Sequence, residues 1–188
     1  MANVKISQDN WDKIIDYAYT AYKLWKTEIG GMAIVHKVDD EYIIEDPIIL
    51  KQEVTAGNTI LDKDALAEYY VKTAMEHKDK QDFQFLWWHS HHTMAAFWSG
   101  TDLKAIDEFS DGKISMSLVV NLKEEYKFRI NVWDPIEAHE DIEITIGDEE
   151  DASERDVNVE VVNETDWRGQ PYKRKVIKEI DNQDQSVL

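Results

Sequence analysis

The chain has no cysteine among its 188 residues. Disulfides and thiolate-ligated zinc sites are therefore excluded, and any bound metal must be held by His, Asp or Glu. No apolar run approaches the roughly 20 residues that a membrane-spanning helix needs. Met1 to Asn10 lack the charged-then-apolar order of a signal peptide, so the expected location is cytoplasmic. Positive charge is scarce: 21 Lys and Arg stand against 39 Asp and Glu, a formal net charge of −18. Charge of that sign repels phosphate backbones and anionic headgroups, so neither nucleic acid nor a membrane is expected as a partner. It could steer a basic protein partner.

What the chain does have is clear periodicity. It is long enough for one domain with an appendage. Apolar residues at 11, 14, 15, 18, 21, 22 and 25 predict an amphipathic helix over 8–26 with Ser7 as N-cap. Trp11, Ile14, Ile15, Ala18, Tyr22 and Trp25 would face a sheet, and Gly30-Gly31 would end the helix. Strands are expected at 32–38 and 42–51, the second broken at Pro47. A turn-like Thr55-Ala56-Gly57-Asn58, a helix over 62–77 and a buried strand from Phe83 follow. A short helix over 101–109 and strands at 115–121 and 126–133 complete a core of residues 1–135. The fold class expected is α/β or α+β, a mixed sheet flanked by helices.

Residues 136–188 form the expected appendage, packing on the core. Between Asp134 and Asp166 there are 14 acids and one base, Arg155. Ile142, Ile144 and Ile146 alternate with polar residues, as do Val157, Val159 and Val161. They predict an acidic hairpin around a loop over 147–156, followed by a short helix on Tyr172, Val176, Ile177 and Ile180 with Pro171 in its first turn.

The chemistry concentrates at residues 86–102. His89 and His91 lie two apart on a predicted strand, so their side chains share one face with roots about 6.5–7 Å apart. Both imidazoles can reach one ion at roughly 2.0–2.1 Å, and Asp102 can add a carboxylate. Three protein ligands leave a position open, as catalytic zinc sites do. Without Asp102, an H-x-H pair alone is more often two strand histidines with ordinary hydrogen bonds. There is no cysteine for a nucleobase deaminase site and no H-E-x-x-H helix.

His89-x-His91, a seven-residue gap, then Ser99-x-x-Asp102 resembles the signature of the JAMM zinc metalloproteases, also called the MPN-plus or JAB domain. That family adds a glutamate between its first helix and first core strand, where this chain has Glu28. It often has proline after the second histidine, where this chain has His92. The resemblance covers roughly residues 1–135. It implies an MPN-like domain and a hydrolase with one Zn2+ on His89, His91 and Asp102. Bound metal can lower the pKa of its water to about 7. Glu28 would act as general base, then acid, and Ser99 would stabilise the oxyanion. The implied substrate is a peptide or isopeptide bond after the C-terminal glycine of a ubiquitin-like protein. The alternatives are a non-catalytic scaffold of MPN type and a cell-wall or phage-tail peptidase. Ser99 also suits a helix N-cap. His92 would point to the opposite strand face, and Phe97 and Trp98 would serve packing or line a substrate groove. His36, His77 and His139 are expected at the surface.

Overall fold

The computed structural model describes residues 3–78, 83–110 and 112–147, and the backbone of 159–165 and 171–177. Helix α1 (Gln8–Trp25) forms on the three- and four-residue stripe, burying Trp11, Ile14, Ala18 and Ala21. Ser7 caps it by accepting the Asn10 N–H at 3.2 Å. The helix ends earlier than the glycine pair: Lys26, in the left-handed region at φ 58, sends its N–H to the Tyr22 carbonyl. Trp25, expected to face the sheet, is 62% exposed, because it lies beyond Ala21, the last buried position of the stripe.

Gly30 and Gly31 instead open strand β2 (Gly30–Val38). A Cβ on Gly31 would stand 1.9 Å from the Ile48 carbonyl oxygen and 2.8 Å from the Trp88 ring, so only glycine lets the neighbouring strands approach. Around β2 the chain adds β1 (Asn3–Ile6), β3 (Glu41–Ile49), β6 (Gln84–Ser90), β7 (Ile114–Val120), β8 (Tyr126–Val132), β9 (Ala138–Ile142) and β10 (Ile144–Ile146). They form one mixed sheet in the order β10-β1-β3-β2-β6-β7-β8-β9, with β1–β3, β1–β10 and β6–β7 parallel. The expected break at Pro47 is a bulge: the β2–β3 register shifts between Met32 and Ile34, opposite Asp46 at φ 52. A separate ribbon, β4 (Gln52–Thr55) with β5 (Asn58–Leu61), turns at Ala56-Gly57. Helices α2 (Lys63–Glu76) and α3 (Gly100–Asp107) complete the α+β fold.

Alternation along β6 divides the core. Leu86 and Trp88 join Trp11, Ile14 and Ala18 of α1 on one face. Trp87 joins Met32 and Ile106 on the other, against Leu66, Tyr69 and Tyr70 of α2. Both faces of β6 are thus covered, which is why its sequence reads as a continuous apolar run.

The C-terminal expectations change most. The chain divides into two compact units, Met1–Asp148 and Glu149–Leu188. Strands β9 and β10 therefore belong to the core sheet, past residue 135. β9 pairs with β8, and β10 pairs in parallel with β1, rather than with the valine segment as a hairpin. Strand β11 (Val159–Thr165) pairs instead with β12 (Pro171–Ile177), antiparallel, from Val159↔Ile177 to Thr165↔Pro171. A strand stands where a helix was expected: the β-branched Val176-Ile177 finds a ladder partner, and tertiary pairing outweighs a four-residue apolar spacing. Val157, Ile180 and residues 148–156 of the acidic loop lie outside the described residues.

Candidate metal centre

Strand β6 lies inside the sheet, with His89 registered between Gly30 of β2 and Val119 of β7. The backbone stays extended one residue beyond it, as the His91 N–H donates to the Val120 carbonyl at 2.8 Å. His89 and His91 consequently fall on one face, as the period of two requires. Both are buried, at 1% and 2% exposure.

Asp102 arrives from α3. Ser99 caps that helix: its Oγ accepts the Asp102 N–H at 3.2 Å, and Asp102 Oδ2 accepts the Ser99 N–H at 2.7 Å. This reciprocal capping box fixes the carboxylate before any ligand arrives. Asp102 Oδ1 then stands 3.1 Å from His89 Nε2, and Oδ2 stands 3.2 Å from His91 Nε2. The two Nε2 atoms are 3.2 Å apart.

These three residues could bind a metal ion. Tetrahedral zinc at about 2.0–2.1 Å from each ligand keeps neighbouring ligand atoms roughly 3.3 Å apart, close to the spacing seen. The tautomer also fits. His91 Nδ1 lies 3.1 Å from the Ala95 carbonyl, which can only accept, so Nδ1 carries hydrogen and Nε2 is left to bind an ion. Among the described residues, His89 Nδ1 is buried with no hydrogen-bond partner.

The electrostatics are those of a tight charge cluster. Burial pushes Asp102 up, but the hydrogen bonds to His89 and His91 outweigh it and hold the carboxyl well below its ordinary range. Burial lowers His89, and there it dominates. Burial also opposes charge on His91, but the Asp102 hydrogen bond and the Ala95 carbonyl outweigh it and raise that group. Binding a cation would displace the proton that His91 shares with Asp102.

Glu28 stands outside the ligand triangle. It lies between α1 and β2, 2% exposed, and its N–H donates to the Thr55 carbonyl at 2.9 Å. Burial raises its carboxyl to about 7; His91 pulls it down and Asp102 pushes it up, so Glu28 feels the charges of the cluster. Ser99, half-buried, uses an oxygen lone pair as helix cap, and its hydroxyl hydrogen remains available to donate.

Other participants carried little signal in the sequence. Asn121, fully buried, donates to the Met94 carbonyl at 2.8 Å and accepts the Lys123 and Glu125 N–H groups. It ties the loop between His91 and Ser99 to the β7–β8 turn; only an asparagine at a strand end hints at this. Trp98 donates its indole N–H to Asp141, which also accepts from Arg129 Nε at 2.6 Å. Phe97 is 47% exposed with its ring edge-on to His91 at 4.9 Å. His92 reaches the Ala56 carbonyl. His36 is half-buried beside Glu45, His77 is half-buried near Phe83, and His139 is exposed.

No family model matches the chain, and no curated protein matches it. Its fold is similar to the solution structure of a protein from Desulfitobacterium hafniense, a structural-genomics target. The TM-score is 0.55 at 16% identity, over 78% of this chain and 94% of that one.

Proposed function

We propose that the protein is a zinc-dependent metallopeptidase or isopeptidase of the JAMM type. The observation that carries the reading is the convergence of His89, His91 and Asp102 within 3.1–3.2 Å; a buried glutamate, Glu28, feels their charges. Zinc held there would supply Lewis acidity to a water and to the scissile carbonyl. Glu28 takes the proton from the attacking water and delivers it to the departing amine. A carboxyl raised to about 7 by burial is suited to both halves of that transfer near neutral pH. Ser99 Oγ–H donates to the developing oxyanion, a contribution of about 10²–10³ in rate for one such donor. The substrate class, a bond after the C-terminal glycine of a ubiquitin-like protein, follows from the motif resemblance alone.

The test is elemental analysis of the purified chain, then cleavage of ubiquitin-like proteins fused to a reporter, with and without chelator. Chelator-sensitive cleavage is expected. Glu28→Gln should keep stoichiometric zinc and lose turnover; loss of zinc in that variant would make Glu28 a ligand instead. A zinc-loaded protein that cleaves neither these fusions nor wall peptides would favour a scaffold.

A further inference from the structure

The motif leaves His92 unused, and the structure gives it an unusual place. Its backbone lies at φ 33, in the left-handed region. Proline, locked near −65°, cannot stand there, whereas histidine is among the residues enriched in that region. The His92 carbonyl accepts the Leu122 N–H at 2.7 Å, which anchors the residue to the β7–β8 turn. Its side chain reaches the other way. Nδ1 accepts the Thr93 N–H at 2.7 Å, so Nε2 carries hydrogen and donates to the Ala56 carbonyl at 2.8 Å. The ring stacks on Tyr22 of α1 at 5.3 Å.

Ala56 sits at the tip of the β4–β5 ribbon, next to Thr55, whose carbonyl receives the Glu28 N–H. The base of the ribbon is fastened separately: Gln52 exchanges hydrogen bonds with both the N–H and the carbonyl of Gly30. Besides the Thr55–Glu28 bond, side chains fasten the ribbon at its base, through Gln52, and at its tip, through His92. Through Thr55, the tip fastening links the Glu28 backbone to the loop that carries His91, while the next residue, Ile29, is held directly by Ser90 of β6.

We infer that His92 is a positioning residue for Glu28: its Nε2–H holds the Thr55-Ala56 turn, and that turn sets where the glutamate stands relative to the metal ligands. The inference rests on the reading of Glu28 as the proton-transfer group. It predicts a defect in turnover rather than in metal binding, because the described contacts of His92 go to Ala56, Thr93, Leu122 and Tyr22 and not to the atoms of the cluster.

Two variants separate the donor from the backbone. His92→Asn keeps a residue that tolerates the left-handed region but is too short to reach Ala56; His92→Gln restores a donor of similar reach. In the zinc-loaded full chain, His92→Asn should lower kcat on a ubiquitin-like reporter fusion by about 10- to 10²-fold, the scale of a small misplacement. KM and zinc affinity should hold. The Glu28 amide should exchange its hydrogen about tenfold faster, as expected when a local opening becomes easier. His92→Gln should recover most of both. Unchanged Glu28 exchange in His92→Asn would overturn the inference, as would a loss of zinc affinity that accounts for all of the lost rate. If the wild-type chain cleaves nothing, the hydrolase reading fails, yet the exchange and zinc measurements still decide whether His92 sets the Glu28 segment.

Discussion

At the scale of residues, the site joins a readable pattern to contacts that no local pattern announces. His89 and His91 were legible because a strand repeats every two residues, and Asp102 because a carboxylate a short loop beyond them can join as a third ligand; the capping box that holds Asp102 appeared only in the fold. Glu28 was legible only by resemblance, since the turn that receives its N–H lies 27 residues further along the chain, at Thr55. Asn121 and the Trp98–Asp141–Arg129 group were not legible, because each joins segments far apart in sequence. Burial of Glu28 has a measurable sign. Its folded carboxyl is raised from 4.5 to about 7, so the folded state binds the proton more tightly than the unfolded one. The metal-free protein should therefore hold this margin below about pH 4.5 and lose it as pH rises through about 7. Thermal unfolding of the metal-free chain from about pH 5 to about pH 8 should show a falling Tm that Glu28→Gln flattens; an identical slope in the variant would refute the assignment.

At the scale of elements, the same groups often serve structure and chemistry together. Ser99 caps α3 while standing beside the His89–His91–Asp102 cluster, so alanine there removes the cap together with the hydroxyl proposed to serve the oxyanion. Ser99→Ala should cost about 1 kcal/mol of stability, whereas Ser99→Gly should cost only a few tenths. Both should lower kcat alike if the hydroxyl serves the oxyanion, by about 10²–10³. Denaturant melts and kinetics on the two variants separate cap from catalysis. Gly31→Ala drives a methyl into the Ile48 carbonyl and the Trp88 ring, which β2 cannot yield without losing its β3 and β6 partners. Overpacking typically costs about 1–3 kcal/mol, and a backbone clash in mid-sheet belongs at the upper end; a wild-type Tm would contradict the packing described. The four-residue strands β1, β4 and β5 are too short to show a period and were not foreseen, whereas the longer core elements followed from periodicity. The C-terminal helix did not, since Tyr172, Val176 and Ile177 also lie within a strand once β11 offers a ladder, a choice that only pairing makes.

At the scale of the whole molecule, charge sets the conditions. Net charge −18 over 188 residues makes the folded chain repel itself, and mobile ions relieve that repulsion within about 10 Å at 0.1 M salt. Raising sodium chloride from about 10 mM to about 150 mM should therefore raise the Tm; a fall would mean that screened attractions outweigh the repulsion. No helix among the described residues is long and apolar enough to cross a membrane. Strand β6 lies deep within the eight-stranded sheet, laced to β2 on one side and β7 on the other. The carboxylate, in contrast, hangs on α3, a helix of eight residues. An ion held there would thus be released on warming by fraying of the Asp102 side first, while the imidazole pair survives until the sheet itself comes apart. The centre would then behave as a clasp with one fixed jaw and one that can lift.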